Sequence, residues 1–204
     1  ELPLVGRADE LAALLDAHAS AQPDGGLAVI EGEAGIGKTR LAHELARKAR
    51  GGGAVVLAAR CHEDEAGLPY GPIVELLREA VGNVEPGDWP AALPPQRLAD
   101  ASLLLPELAG LRDDVPAPLP LDGPAAQVRL LEAVAAVIAA GCQGRQPGVV
   151  LLDDVHAADE ATLDSITYLG HRLWGRSLLL VVAWRSEAVP PGHRLRRLAA
   201  DLTR

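Results

Sequence analysis

Methionine and phenylalanine are absent from the 204 residues, and the aromatic complement is three Trp and two Tyr. Without Met, Glu1 is not a translation start, which implies a piece of a longer chain. With aromatics this scarce, a core has to be assembled from Leu, Val, Ile and Ala; the hydrophobic content of 49% supplies them at a level ordinary for a globular protein. Only two cysteines occur, Cys61 and Cys142. They lie far apart without metal-ligand spacing and read as reduced thiols of a cytoplasmic protein. Long apolar runs are missing too. The longest, Ala133 to Ala140, is far too short to span a bilayer, and no secretory signal opens the chain. Basic runs are lacking, and the net charge of −9 argues against a nucleic-acid-binding surface on this segment. No internal repeat is visible. The length suits one α/β domain with a sizeable core.

What is present centres on Gly32-Glu33-Ala34-Gly35-Ile36-Gly37-Lys38-Thr39. This is a phosphate-loop pattern: Gly, four residues, then Gly-Lys-Thr. Its glycines let the backbone turn with N–H groups pointing inward, where they cradle phosphate oxygens. Lys38 can place a charge at the β- and γ-phosphates, and the Thr39 hydroxyl can ligate Mg²⁺. The flanks fit. Leu27 to Ile30 reads as a buried strand entering the loop. From Lys38 to Arg50, Leu41, Leu45 and Ala49 fall on one helical face, and Gly51-Gly52-Gly53 stops the helix. A helix N-terminus is thereby aimed at the phosphates. No Asn-Lys-x-Asp guanine motif occurs, so the nucleotide is expected to be ATP or ADP with Mg²⁺ rather than GTP.

Upstream, Leu4-Val5-Gly6-Arg7 precedes a short amphipathic helix with Leu11, Leu14 and Leu15 on one face, readable simply as a helix packed on the sheet edge. Downstream, Ala54 to Ala58 reads as a second strand. The following Arg60-Cys61-His62-Glu63-Asp64-Glu65 reads as a solvated acidic loop rather than a metal site, because no second ligand pair has suitable spacing. Pro72 opens a helix carrying Ile73, Val74, Leu76, Leu77, Ala80 and Val81. Nine of the sixteen prolines fall between Val84 and Pro124, which predicts an irregular or short-helical insertion without a core of its own. Ala125 to Ala140 reads as a helix.

Val149-Val150-Leu151-Leu152-Asp153-Asp154 is the second chemical signal. A strand buried on both faces delivers Asp153 to the C-terminal edge of the sheet, beside the phosphate loop. There Asp153 can hold Mg²⁺ and Asp154 can orient or polarise the attacking water. Two carboxylates capping the next helix are the plain alternative. Asp159 to Trp174 reads as that helix. Leu178 to Ala183 reads as a fourth strand ending at Trp184-Arg185, so Arg185 reaches the same edge. It can read the γ-phosphate or pair with Glu187 on the surface. His193 to Leu202 reads as a last short helix. Four apolar strand runs joined by helices predict a parallel sheet covered on both faces.

The chain resembles the ATPase domain of the signal-transduction ATPases with numerous domains, a branch close to the AAA+ ATPases, and in particular the ATPase module of large LuxR-type transcriptional regulators. Leu4 to Glu10 is similar to the family's opening hydrophobic-Gly-Arg-Glu motif, with Asp9 displaced from the usual acidic position. Gly32 to Arg40 matches the family phosphate loop. Arg60-Cys61-His62-Glu63 with Leu68-Pro69-Tyr70 matches the segment after the second strand. Leu151 to Asp159 resembles the Walker B segment, which often has Trp where Ala157 stands, and Trp184-Arg185-Ser186-Glu187 resembles the sensor segment. The resemblance implies that Val5, Gly6 and Arg7 contact the adenine side of ATP, that Gly32 through Arg40 hold the phosphates, that Thr39 and Asp153 serve Mg²⁺, that Asp154 prepares the water, and that Arg185 senses the γ-phosphate. It also implies a P-loop NTPase three-layer sandwich with strand order 5-1-4-3-2, the fifth strand lying beyond Arg204, as do a helical lid, sensor repeats and a DNA-binding domain.

The function expected from these readings is an ATP-operated switch that hydrolyses slowly. Its partners are the nucleotide, other domains of its parent and, through an open sheet edge, a second copy; no membrane and no direct DNA contact are expected. A phosphotransferase needs an acceptor pocket and an arginine-rich lid, which the Pro-rich insertion does not offer. A non-hydrolysing scaffold is the other alternative; the intact Lys38, Thr39, Asp153 and Asp154 argue against a degenerate site.

Overall fold

The computed structural model describes residues 6–63, 69–83, 89–172 and 175–202. Four strands form one parallel sheet in the order β1-β4-β3-β2: β1 (Gly26–Gly32), β2 (Val56–Arg60), β3 (Gly148–Asp153) and β4 (Leu178–Arg185). The central strands are the ones with unbroken apolar sequence. Every residue of β3 is buried, as is β4 as far as Trp184. Such strands have no solvent face, so their sequences run rather than alternate. β1 buries only Ala28 and Ile30 and pairs on one side alone among the described residues. Among the described residues the sheet shows the expected order for strands one to four, and no fifth strand.

Helices cover both faces. On one face lie α1 (Ala8–Ser20) and α2 (Lys38–Gly51), whose Leu11, Leu14, Leu41 and Leu45 pack against Val56, Val149, Leu179 and Val181. On the other lie α3 (Gly71–Gly82), α6 (Gly123–Gly141), α7 (Glu160–His171) and α8 (Arg194–Leu202), around Leu57, Val150, Leu152, Leu180 and Trp184. A completely buried Leu such as Leu45 or Leu57 contributes about 1.5–3 kcal/mol.

The element boundaries have local causes. α2 begins at Gly37 in the left-handed region and ends where Gly52 N–H returns to the carbonyl of Lys48 at 3.0 Å. α7 begins one residue later than expected because Asp159 is its N-cap, accepting from Thr162 N–H at 2.9 Å. It ends at His171; Leu173 and Trp174, read as part of it, lie outside the described residues, as do Asp64 and Glu65 of the acidic loop. β2 is displaced relative to its sequence reading: it starts at Val56 and runs on to Arg60. Ala54 and Val55 lead into it, and pairing with β3 continues through Arg60 opposite Asp153.

The described part of the Pro-rich stretch holds α4 (Trp89–Ala92), α5 (Pro95–Ala101) and a 3₁₀ turn (Pro106–Leu111). Trp89, Leu98, Leu105 and Leu108 sink into the same core as β2, α3 and α6. Two ion pairs tie α5 to α6, Arg97–Glu132 at 2.6 Å and Arg129–Asp100 at 3.2 Å. By length and composition the 19-residue α6 is long and apolar enough to cross a membrane, although its longest unbroken apolar run is short. Half of it is buried inside the fold, however, with Leu130, Val134 and Ile138 directed into the core.

Candidate functional site

Strand register sets the site. Across β1–β4, Gly32 stands opposite Arg185; across β2–β3, Arg60 stands opposite Asp153. All four residues therefore end their strands at one edge of the sheet, where a cleft of about 1070 Å³ opens. The phosphate loop, Ala8 and Leu11 of α1, Arg40, His43, Glu44 and Arg47 of α2, and Arg60, Asp154 and Arg185 line it.

The loop is shaped by two left-handed residues, Gly35 (φ +74°) and Gly37 (φ +95°), with nothing within 4 Å of where a Cβ would stand. Conformation, not crowding, is what requires glycine at these positions. Glu33, Ala34, Gly35 and Ile36 are exposed along the loop, Gly32 and Thr39 are half-buried, and Arg40 is exposed. The first-turn N–H groups of α2 have no intrahelical partner and point toward the mouth of the loop. The Lys38 side chain folds back across it: Nζ donates to the carbonyls of Gly32 at 2.9 Å and Glu33 at 2.8 Å. Lys38 is 7% exposed, and these two bonds hold its ammonium against the loop backbone.

Of the residues assigned to the adenine side, Val5 lies outside the described residues. Gly6 is an exposed left-handed turn residue. Arg7 is placed on the loop itself: Nη2 donates to the Ile36 carbonyl at 2.8 Å and Nη1 to Glu10 at 3.3 Å. It thereby clamps the start of α1 to the phosphate loop.

Asp153 is 4% exposed; its Oδ1 accepts from Asp154 N–H at 2.9 Å, and its Oδ2 is buried without a partner among the described residues. A buried carboxylate oxygen left unpaired is costly, and a hard cation is one group that can relieve it. Asp153, with the Thr39 hydroxyl in the first turn of α2, fits Mg²⁺, which takes few protein ligands and fills its shell from water and substrate. Among the described residues no group of three or more His, Cys, Asp or Glu side chains makes a metal cage. Cys61 is buried, and its thiol is pushed up to about 12, chiefly by burial.

Asp154 occupies the left-handed region (φ 52°, ψ 37°), a conformation Asp tolerates better than most residues. Its Oδ2 accepts from Arg60 Nε at 3.1 Å and Nη2 at 2.7 Å. That bond holds the Arg60 guanidinium above its ordinary pKa. Of the two readings of Arg185, γ-phosphate contact or surface pairing with Glu187, the second takes a different form: Nη1 lies 3.8 Å from Oε1 of Glu63. The reason is topological: the loop after β2 comes over the end of β4. His156, two residues past Asp154, sits beneath this group with its Nδ1 3.8 Å from Asp154 Oδ1. Burial, followed by the opposing influence of Asp154, sets its pKa below the ordinary value.

Arg60 and His156 were not singled out from the sequence as site residues. The signal for Arg60 was the one that found Asp153 and Arg185, a polar residue ending an apolar strand run. His156 carried the weaker signal of a histidine closely following the acid pair. Against known families, residues 3–182 match the family described as an AAA ATPase domain. No curated protein matches the chain. The family match takes in the phosphate loop, the acid pair and most of β4, and the parallel sheet between helical layers is the P-loop NTPase fold. With most of its length matched, and with that loop and acid pair meeting at one sheet edge, the chain belongs to the AAA ATPase domain family.

Proposed function

We propose that the chain is an ATP-binding, slowly hydrolysing switch module of a multidomain cytoplasmic regulator of signal transduction and transcription, resembling the LuxR-type modules. Residues 1–204 make up one such domain, with residues 84–124 inserted into it. The observation that carries the reading is that Lys38, the start of α2 and Asp154 line one cleft at the sheet edge where β3 ends in Asp153. In this reading Gly32 through Arg40 and Lys38 bind the triphosphate, Thr39 and Asp153 hold Mg²⁺, Asp154 orients water and Arg185 responds to the γ-phosphate. Bound Mg²⁺ neutralises charge on the β- and γ-phosphates. Gly6 and Arg7, with Val5, flank the adenine. The remaining partners are other domains of the parent and, through the open side of β1, a second copy; the acidic segment itself touches neither DNA nor membrane.

A second reading, a nucleotide-holding scaffold without turnover, draws support from the Arg60–Asp154 bond, which occupies the acid that would prepare the water. One pair of measurements separates the two. Calorimetric titration with ATP, with and without Mg²⁺, should show Mg²⁺-enhanced binding. A single-turnover assay at saturating MgATP should show slow phosphate release that is abolished by Asp154→Asn. Binding without release selects the scaffold; no ATP binding at millimolar nucleotide overturns both.

A further inference from the structure

The His156 side chain is 6% exposed, and neither ring nitrogen has a hydrogen-bond partner among the described residues. An imidazole carries at least one N–H in every protonation state, so a buried donor is idle here. Buried polar groups are rarely left unpaired, and such exceptions mark a group that acquires its partner in another state. Oδ1 of Asp154 stands 3.8 Å from Nδ1, just beyond hydrogen-bond reach. Arg60 holds the other oxygen of that carboxylate, and no described residue donates to Oδ1. Both residues belong to a short irregular piece of chain, Asp154 in the left-handed region and His156 in the 3₁₀ turn Val155–Ala157. A shift of about 1 Å closes the gap to bonding distance. The charged groups acting on the ring from neighbouring elements are Arg185 at the end of β4, Glu63 after β2 and Lys38 in α2.

We infer that His156 is the positioning residue of Asp154: its Nδ1–H donates to Oδ1 when Arg60 releases Oδ2, and so aims the freed oxygen into the cleft. This rests on the reading of Asp154 as the acid that prepares water. It makes Arg60 and His156 rival donors to one carboxylate, one holding it aside and the other presenting it.

The bond can be read without turnover. With ¹⁵N-labelled histidine and Mg²⁺ plus a non-hydrolysable ATP analogue, NMR should find His156 protonated at Nδ1, with a resonance that moves in Asp154→Asn. An Nε2–H tautomer, or an Nδ1 signal indifferent to Asp154→Asn, overturns the inference. Kinetics supply a second arm. His156→Ala and His156→Gln should lower single-turnover rates tenfold or more with ATP affinity within about twofold. His156→Asn, which keeps an N–H near the Nδ1 position, should recover to within about threefold of the parent. If Ala and Asn behave alike, or if affinity falls with rate, the role is only structural. Failure of the underlying reading has a different signature: Asp154→Asn then turns over like the parent, while the tautomer still reports whether the bond exists.

Discussion

Two donors of Arg60, Nε at 3.1 Å and Nη2 at 2.7 Å, converge on a single oxygen of Asp154, a residue 94 positions away in the chain. The ends of β2 and β3 bring them together. The Arg60 side chain is 53% exposed, so solvent screens the pair, and it is worth no more than about 1 kcal/mol. A restraint that weak is one a ligand can release, since about 1.4 kcal/mol of differential binding shifts an equilibrium tenfold.

Arg60→Ala should therefore raise the single-turnover rate at saturating MgATP by about two- to fivefold, the rate equivalent of up to about 1 kcal/mol. ATP affinity should stay within about twofold, because the loop and Lys38 are untouched. An unchanged or slower rate would show that the bond does not restrain the acid.

β3 and β4 were legible because their apolar runs are buried on both faces, β1 and β2 because their apolar runs follow turn glycines, and the phosphate loop because Gly35 and Gly37 are demanded by backbone angles that few other residues adopt. What the sequence concealed depends on register. Nothing local to Arg60 says that it meets Asp154, and nothing near Arg185 names Glu63 rather than Glu187 as its neighbour. The Pro-rich stretch hid its contribution for a different reason. Trp89, Leu98 and Leu108 add to a core made elsewhere, so no periodic pattern is needed to bury them. The start of β2 was misplaced because Ala54 and Val55 are as apolar as the strand they lead into, and hydropathy alone does not locate where pairing begins.

Lys38 offers a sharp test of the phosphate site. Lys38 is buried, and among the described residues its ammonium bonds the carbonyls of Gly32 and Glu33 and no carboxylate, so a triphosphate gives it an anionic partner in the loop. Lys38→Ala should weaken ATP binding by tenfold or more, about 1.4 kcal/mol, and AMP binding much less. Equal losses for ATP and AMP in calorimetry would mean that the variant damages the loop rather than removing a contact to the outer phosphates.

The adjacent acids should separate by what they act on. Asp153 has a buried, unpaired oxygen suited to a cation, so Asp153→Asn should abolish the Mg²⁺ enhancement of ATP binding. Asp154→Asn should leave Mg²⁺-dependent affinity within about threefold while stopping phosphate release, because its proposed work is on the water. Titrations with and without Mg²⁺, followed by phosphate-release assays, distinguish the two. If both variants lost Mg²⁺-dependent binding equally, the division of labour would be wrong.

Gly37 tests whether backbone conformation alone governs the loop. It is the N-cap of α2 at φ 95°, ψ 22°, its carbonyl accepts from Leu41 N–H at 3.0 Å, and a Cβ there would meet nothing within 4 Å. Gly37→Ala consequently introduces no clash, only an L residue in a region that costs it about 1–2 kcal/mol. If the loop keeps its shape, stability falls by that amount, or roughly 2–8 °C in Tm for a chain of this size. If the residue instead relaxes to negative φ, the peptide between Ile36 and Gly37 turns. That peptide supplies both the carbonyl held by Arg7 at 2.8 Å and an N–H at the mouth of the loop, so ATP affinity should drop about tenfold. Either way Gly37→Asn should be milder than Gly37→Ala, because Asn visits the left-handed region more readily although its side chain is larger. Melting curves and ATP titrations of the two variants decide the point. Asn proving as harmful as Ala or more so would show that space or polarity, and not backbone angle, is what the loop demands of glycine.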